Sequence, residues 1–250
     1  MAKIVAWVIG VCLALGGSAQ AGDQAEFTLA YDSFAPYIWS DEGVARGVYV
    51  DILTEALEER LDISVTFEAY PWRRAQRSVE RGEADGMITW PTETRLQYTK
   101  SSTVPLVVAE VGLFTNEDHP RFEEMKGIKD LSGIEGYSIL TYLGDGWAET
   151  ALRDHQVDFD GHDFPHVLNK LAFRRGDVFV QTVETTLYSI EKLGLQDDLV
   201  RVPDVILDTL EFRLLIGKDS PFSKRLPEID AVLGDMRDEG TIDAIRGRYR

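Results

Sequence analysis

The sequence is short of cysteine, of basic charge and of long apolar runs. Its one cysteine is Cys12, close to the N-terminus, so the body of the chain has no disulfide, no thiol nucleophile and no cysteine metal ligand. Lys and Arg number 26 against 43 Asp and Glu, a formal net charge of -17. Phosphate backbones are gripped by clustered Lys and Arg, so this balance argues against a nucleic-acid partner and against an anionic membrane surface. Beyond residue 21 no apolar run reaches the roughly 18 residues that a membrane-spanning helix needs. There is no H-E-x-x-H, no G-x-S-x-G and no P-loop. Gly144-x-Gly146 opens a dinucleotide-like pattern, but Glu149 stands where the third glycine belongs, which excludes that reading.

What is present is a chain of 250 residues, 44% hydrophobic and 28% charged. That balance belongs to a soluble globular protein, with length for one large domain or two small ones. Lys3, the apolar stretch Ile4 to Leu15, and Ala19-Gln20-Ala21 read as a signal peptide with cleavage after Ala21. Ile9-Gly10-Val11 before Cys12 make a poor lipobox. The expectation is an exported, periplasmic protein with no tether.

The rest alternates strands and helices. Phe27 to Tyr31 reads as a strand, followed by an aromatic, polar loop from Asp32 to Ser40. Val50, Leu53, Leu57 and Leu61 recur at helical spacing. A strand is expected over Ile63 to Phe67, a helix around Ala75 and Val79 stopping at Gly82, and a strand over Gly86 to Thr89. This βαβαβ order favours a parallel sheet covered by helices. After Asn116 to Pro120 the pattern repeats: strands over Tyr137 to Tyr142, Val157 to Phe159 and Val178 to Val180, a helix from about Trp147, and a helical face at Val167, Leu168, Leu171 and Ala172. Phe212 to Gly217 reads as a late strand. Ile229, Val232, Leu233 and Met236 read as an amphipathic helix with Gly240 as its end. Two tandem α/β units place a ligand in the crevice at the carboxyl ends of their strands.

Several short motifs then fall in one order. Ser33-Phe34-Ala35-Pro36-Tyr37, Gly47 to Leu53, Trp72 to Gly86 with Gly82 and Asp85, Thr92-Glu93-Thr94-Arg95, and Lys218 with Leu233 and Asp238 to Ile242 together resemble the bacterial periplasmic solute-binding proteins of the polar amino-acid type, family 3. The resemblance implies an α/β, two-lobed periplasmic binding protein-like (type II) fold with two hinge strands. Lobe I would comprise residues 22–112 plus 213–250, and lobe II residues 113–212. Gly112 to Thr115 and Leu207 to Phe212 are expected in or beside the hinges. A small-molecule ligand would close the cleft by hinge motion, and a membrane ABC permease would recognise the closed form. No cofactor is implied, and a monomer is expected.

The resemblance also nominates residues. Arg95 matches the family's ligand-carboxylate arginine, and a planar guanidinium grips a carboxylate through two parallel charge-assisted hydrogen bonds; otherwise it is a surface arginine. Thr89 and Thr92 fall where the family offers hydroxyls, or are strand-end and helix-cap threonines. Phe34 and Trp72 match residues that sandwich the ligand side chain, and Tyr31, Tyr37 and Trp90 join them as candidate aromatic contacts. Core packing is their alternative role. The family has small residues near Trp90 and is about two residues longer there, so a narrower pocket is expected. In lobe II the family's G-T-T loop is replaced by Thr141 to Trp147. A helix start there would receive an anion, with Asp145 opposing it unless Asp145 caps the helix. The family's α-amino partner, an Asp, is replaced by Thr182, with Glu184 two residues on as a substitute. This puts a standard α-amino acid ligand in question.

His155, His162 and His166 lie among Asp154, Asp158, Asp160 and Asp163. Pro165 is expected to start a helix after His162, so no metal pair on one helix face is expected and the segment reads as a solvated acidic loop. The leading expectation is a substrate-binding protein, not an enzyme, for a small carboxylate-bearing solute. The alternatives are a cyclohexadienyl dehydratase-like enzyme with Glu184 as its acid, and a ligand-sensing subunit of a signalling system.

Overall fold

The computed structural model describes residues 26–161 and 163–249. The leader, its cleavage point after Ala21, Cys12 and His162 lie outside the described residues.

The chain opens with β1 (Glu26–Tyr31), whose buried side chains Phe27, Leu29 and Ala30 anchor the first core. The segment after it is not wholly a loop. β2 (Trp39–Asp41) and β3 (Val44–Arg46) form a hairpin, turned by Glu42 and Gly43 at φ 49° and 84°. Positive φ at both turn positions is the geometry that matches strand twist. Gly47 follows at φ 124°, where a Cβ would lie 2.4 Å from the Tyr37 carbonyl oxygen, so only glycine fits. The expected helix is α1 (Val48–Leu53), continued by a π-helical stretch over Thr54–Glu59. β4 (Ser64–Ala69) then runs parallel to β1. α2 (Trp72–Glu80) buries Ala75, Ser78 and Val79, and leads to β5 (Gly86–Thr89). α3 (Glu93–Tyr98) starts on a Thr92 cap and runs into β6 (Thr99–Ser101).

β7 (Val107–Asn116) crosses to the second unit. There α4 (Phe122–Met125), β8 (Ile139–Tyr142), α5 (Ala148–Ala151), β9 (Val157–Gly161), α6 (Phe164–Ala172), β10 (Val178–Thr182) and α7 (Val183–Leu193) follow. The helix expected from Trp147 is a single turn; beyond it His155, with Nε2 2.8 Å from the Leu131 carbonyl oxygen, holds the chain on its way to β9. α6 begins at Phe164, one residue before the expected Pro165, on an Asp163 side chain that accepts from the His166 N–H. The late strand is far longer than expected: β11 runs over Leu199–Gly217. Its middle carries Asp204, Asp208 and Glu211 on exposed positions, which hides the strand from a reading based on apolar alternation. α8 (Leu226–Asp238) and α9 (Thr241–Gly247) close the chain.

The main sheet has the order β4-β1-β5-β11-β7-β10-β8-β9, with β6 also on β11. Its ends are two parallel units, β4-β1-β5 and β10-β8-β9. Between them β11 pairs with β5 through Arg213 to Ile216 and with β7 through Leu199 to Phe212. β7 and β11 are therefore the two connecting strands, and residues 112–115 and 207–212 lie on them. One apolar cluster runs from Phe27 and Ile52 in the first half through Val111 to Val178 and Val180 in the second. A smaller one packs Leu168 and Leu171 of α6 against Phe114, Leu140 and Phe179.

Candidate functional site

The loop after β5 and the loop after β8 come together where Arg95 faces Gly146. On the first half, Pro91 ends β5 and Thr92 caps α3, its Oγ1 accepting from the Arg95 N–H at 3.2 Å. Arg95 is only 5% exposed. Its Nε donates to Gln76 Oε1 at 3.1 Å and its Nη1 to the Trp90 carbonyl oxygen at 2.9 Å. The rings of Trp90 and Trp72 lie 4.7 and 5.4 Å from its Cζ. Among the described residues no ion pair reaches Arg95. Burial brings its pKa down from 12.5 to about 10, with Tyr98 and Glu149 pulling the other way. The side chain is still a cation at neutral pH. Its Nη2 faces the second half: a Cβ on Gly146 would stand 3.5 Å from that nitrogen and 3.9 Å from the Trp90 ring. One residue before Trp90, Thr89 is buried with its Oγ1 unpartnered.

On the second half, Asp145 is buried below Gly146. Its Oδ2 accepts from Thr141 Oγ1 and Gln181 Nε2, both at 3.0 Å, and its Oδ1 from the Ala148 N–H at 3.1 Å. Asp145 thus caps the helix turn itself. Burial raises its pKa, with the Ala148 N–H, the Thr141 hydroxyl and the Trp147 N–H drawing it back and Glu149 adding to the rise. Thr182 ends β10 with its N–H on Gln181 Oε1 at 2.7 Å. The hydroxyls of Thr182 and Thr185 are buried and unpartnered. A buried hydroxyl without a partner is uncommon, and Thr89, at the end of β5, and Thr182 and Thr185, at the end of β10 and the start of α7, each have one.

A second contact crosses beside the first. Glu184, in the opening turn of α7, accepts from the Tyr37 hydroxyl and from Arg246 Nη2, the latter at 3.2 Å. Tyr37 stacks on Tyr49 at 5.3 Å between centroids, and Phe212 of β11 touches Phe34, Tyr37, Tyr49 and Trp90 at 5.6 to 6.2 Å. Burial, with the Tyr37 and Glu184 charges, pushes the Tyr49 phenol well above 10.

The structure thus brings Thr89, Trp90, Thr92 and Arg95 together, with Trp72 at the start of α2 over the same guanidinium. Thr92 is a cap, and Phe34 and Tyr37 belong to the aromatic core around Phe212. Tyr31 ends β1, buried, with burial raising its phenol. Glu184 is engaged by Tyr37 and Arg246. Sequence reasoning passed over Gln76, Gln181, Thr185, Tyr49, Arg246 and Phe212. Gln76 was within reach, since it lies one helical turn after Trp72 and shares its face. Two surface hollows, one near Lys218 and one near His155, do not touch these residues.

The fold has many counterparts among solved structures. A histidine kinase sensor domain similar to periplasmic binding proteins superposes with a TM-score of 0.76 at 20% identity, covering 91% of this chain and 97% of that one. An ancestral arginine-binding protein bound to arginine gives 0.73 at 19%, covering 90% and 98%. A protein of glutathione import from Streptococcus mutans gives 0.73 at 16%, covering 90% and 95%. These likenesses show a two-lobed, periplasmic binding protein-like fold. No curated protein matches the chain in sequence. Among the described residues no helix is long and apolar enough to cross a membrane. The pattern of the bacterial extracellular solute-binding proteins, family 3, matches residues 28–250, and the chain belongs to that family.

Proposed function

We propose that this protein is the periplasmic component that captures a small carboxylate-bearing solute, an amino acid or a relative of one, and presents it to an ABC-type permease. In this reading residues 22–112 plus 213–250 form one lobe, residues 113–212 the other, and the ligand lies between them. The observation that carries it is Arg95: a cation 5% exposed, oriented by Gln76 and the Trp90 carbonyl, with no ion pair among the described residues. A buried charge without an ion pair is costly, and a ligand carboxylate offsets that cost when the halves close over it. Thr89, Thr182 and Thr185 supply hydroxyls, and Trp72, Trp90 and Tyr31 supply walls. That some relatives bind arginine or glutamate supports the class. Glu184, engaged by Tyr37 and Arg246, is poorly placed to act as a free acid, which favours binding over dehydration.

The test is a thermal-shift screen of residues 22–250 against amino acids and small organic acids, each beside its amide. Ligand at 100 times Kd adds about 2.7 kcal/mol, a Tm rise of roughly 5 to 11 °C at this chain length. The acids should shift Tm and the amides should not; equal shifts would refute the carboxylate reading. The likeness to a histidine kinase sensor domain supports a second reading, in which a membrane sensor detects the closed form. Deleting the protein abolishes ligand uptake in the first case and leaves it intact in the second.

A further inference from the structure

We propose that α7 carries a clasp, built from Glu184 and Tyr188, that holds the two halves closed before any solute binds. The two side chains lie four residues apart, so one helix face presents both. Each meets side chains of the first half. Glu184 accepts from the Tyr37 hydroxyl and, at 3.2 Å, from Arg246 Nη2 of α9. The Tyr188 ring lies 6.1 Å from that of Trp39, at the start of β2, and Trp39 stands edge-on to Tyr249 at 6.1 Å. These partners are fixed in their own half. Tyr37 stacks on Tyr49, and α9 is fastened to α1, because the Tyr249 hydroxyl and Arg248 Nη2 reach Asp51 Oδ2 at 2.8 and 2.9 Å.

The clasp sits against a connecting strand. Arg246 Nη2 also donates to the Val108 carbonyl oxygen of β7 at 3.4 Å. Val183, just before Glu184, packs on the same strand, where a Cβ on Gly112 would stand 2.8 Å from its Cγ2. A rotation about β7 and β11 that parts the halves draws α7 away from Tyr37 and Arg246. Arg60 and Lys170, by contrast, pair within their own halves, so opening leaves them intact. The Glu184 and Arg246 side chains are 32% and 17% exposed, and a partly buried pair is screened less than a surface one. None of these contacts uses Arg95, Thr89 or Gly146, so the clasp does not rest on the carboxylate reading. Its role is to set how much closed form exists without solute, and therefore how much of the binding free energy closure consumes.

The experiment is small-angle X-ray scattering on residues 22–250, denatured in urea and refolded to strip bound solute, with circular dichroism on the same samples. The variants are Glu184→Gln, Tyr188→Ala and the two together. Glu191→Gln, at an exposed position of the same helix, is the control. Parent and control should share one radius of gyration, near the roughly 17 Å of a compact chain of this length. Each single variant should raise it and the double variant should raise it most, with the helix signal unchanged. Equal values across the series would overturn the clasp, and so would a parent already as expanded as the double variant. An increase accompanied by loss of the helix signal would overturn it too, because the contacts would then hold the fold and not the hinge.

Discussion

Replacing Arg95 with methionine separates a cation kept for a ligand from one that holds the fold. Methionine is unbranched and adaptable, so it fills most of the space between Trp72 and Trp90. The fall of the Arg95 pKa from 12.5 to about 10 means that the folded state disfavours the charge by about 3 kcal/mol, at roughly 1.4 kcal/mol per pKa unit. Removing the charge recovers that amount. Losing the guanidinium leaves the Trp90 carbonyl oxygen and Gln76 Oε1 without their donor, which costs about 1 to 3 kcal/mol. The ligand-free variant should therefore be as stable as the parent or up to about 2 kcal/mol more so, a Tm rise of no more than about 8 °C. Carboxylate affinity should fall by about 2 to 5 kcal/mol, the usual cost of removing a buried charged partner. Urea denaturation gives the first quantity and calorimetric titration the second. A variant that loses 2 kcal/mol of stability yet keeps its affinity would refute the reasoning, because Arg95 would then be structural. The sign with pH follows from the same group. Only the charged form grips an anion, so affinity should hold up to about pH 9 and weaken as pH passes the folded value of about 10.

Two further perturbations test the frame around the site. Phe212 is 3% exposed and contacts four aromatic rings, so Phe212→Ala should cost about 3 to 5 kcal/mol in urea denaturation, and a loss below 1 kcal/mol would discount the cluster. Asp158 is held below its usual 3.8, first by the Lys170 ammonium at 2.7 Å, then by the Asp160 N–H, with His166 adding to it and the Asp160 carboxylate sharing Lys170. A depressed carboxyl contributes stability that is present above 3.8 and lost as pH falls through the lower folded value; Asp158→Asn should flatten that acid limb by roughly 1 kcal/mol or less, since Asp158 is 40% exposed.

The two parallel units were legible because their strands and helices are covered and so carry apolar periods: Phe27, Leu29 and Ala30 in β1, and Val167, Leu168 and Leu171 in α6. The connecting strands were legible only in part: Phe212 to Gly217 read as a strand, but the full length of β7 and β11 did not. β7 and β11 leave the shelter of one helical layer for the other, and exposed Glu110, Asp208 and Glu211 break their apolar pattern. The hairpin β2-β3 is carried by a two-residue turn with positive φ, and Glu42 in its first position is an unusual choice there. At the site, Arg95 was legible from its motif and a capping threonine three residues before it. The engagement of Glu184 was not, because Tyr37 and Arg246 come to it from opposite ends of the chain, and no local spacing records that meeting.

β11 serves both halves of the main sheet at once, zipped to β5 at one end and to β7 along the rest. Melting either half strips a strand of its hydrogen-bonding neighbour in the other, and the shared apolar cluster is torn open at the same moment. Heat therefore has no stage at which one jaw is molten and its mate intact: the clamshell comes apart as one cooperative unit.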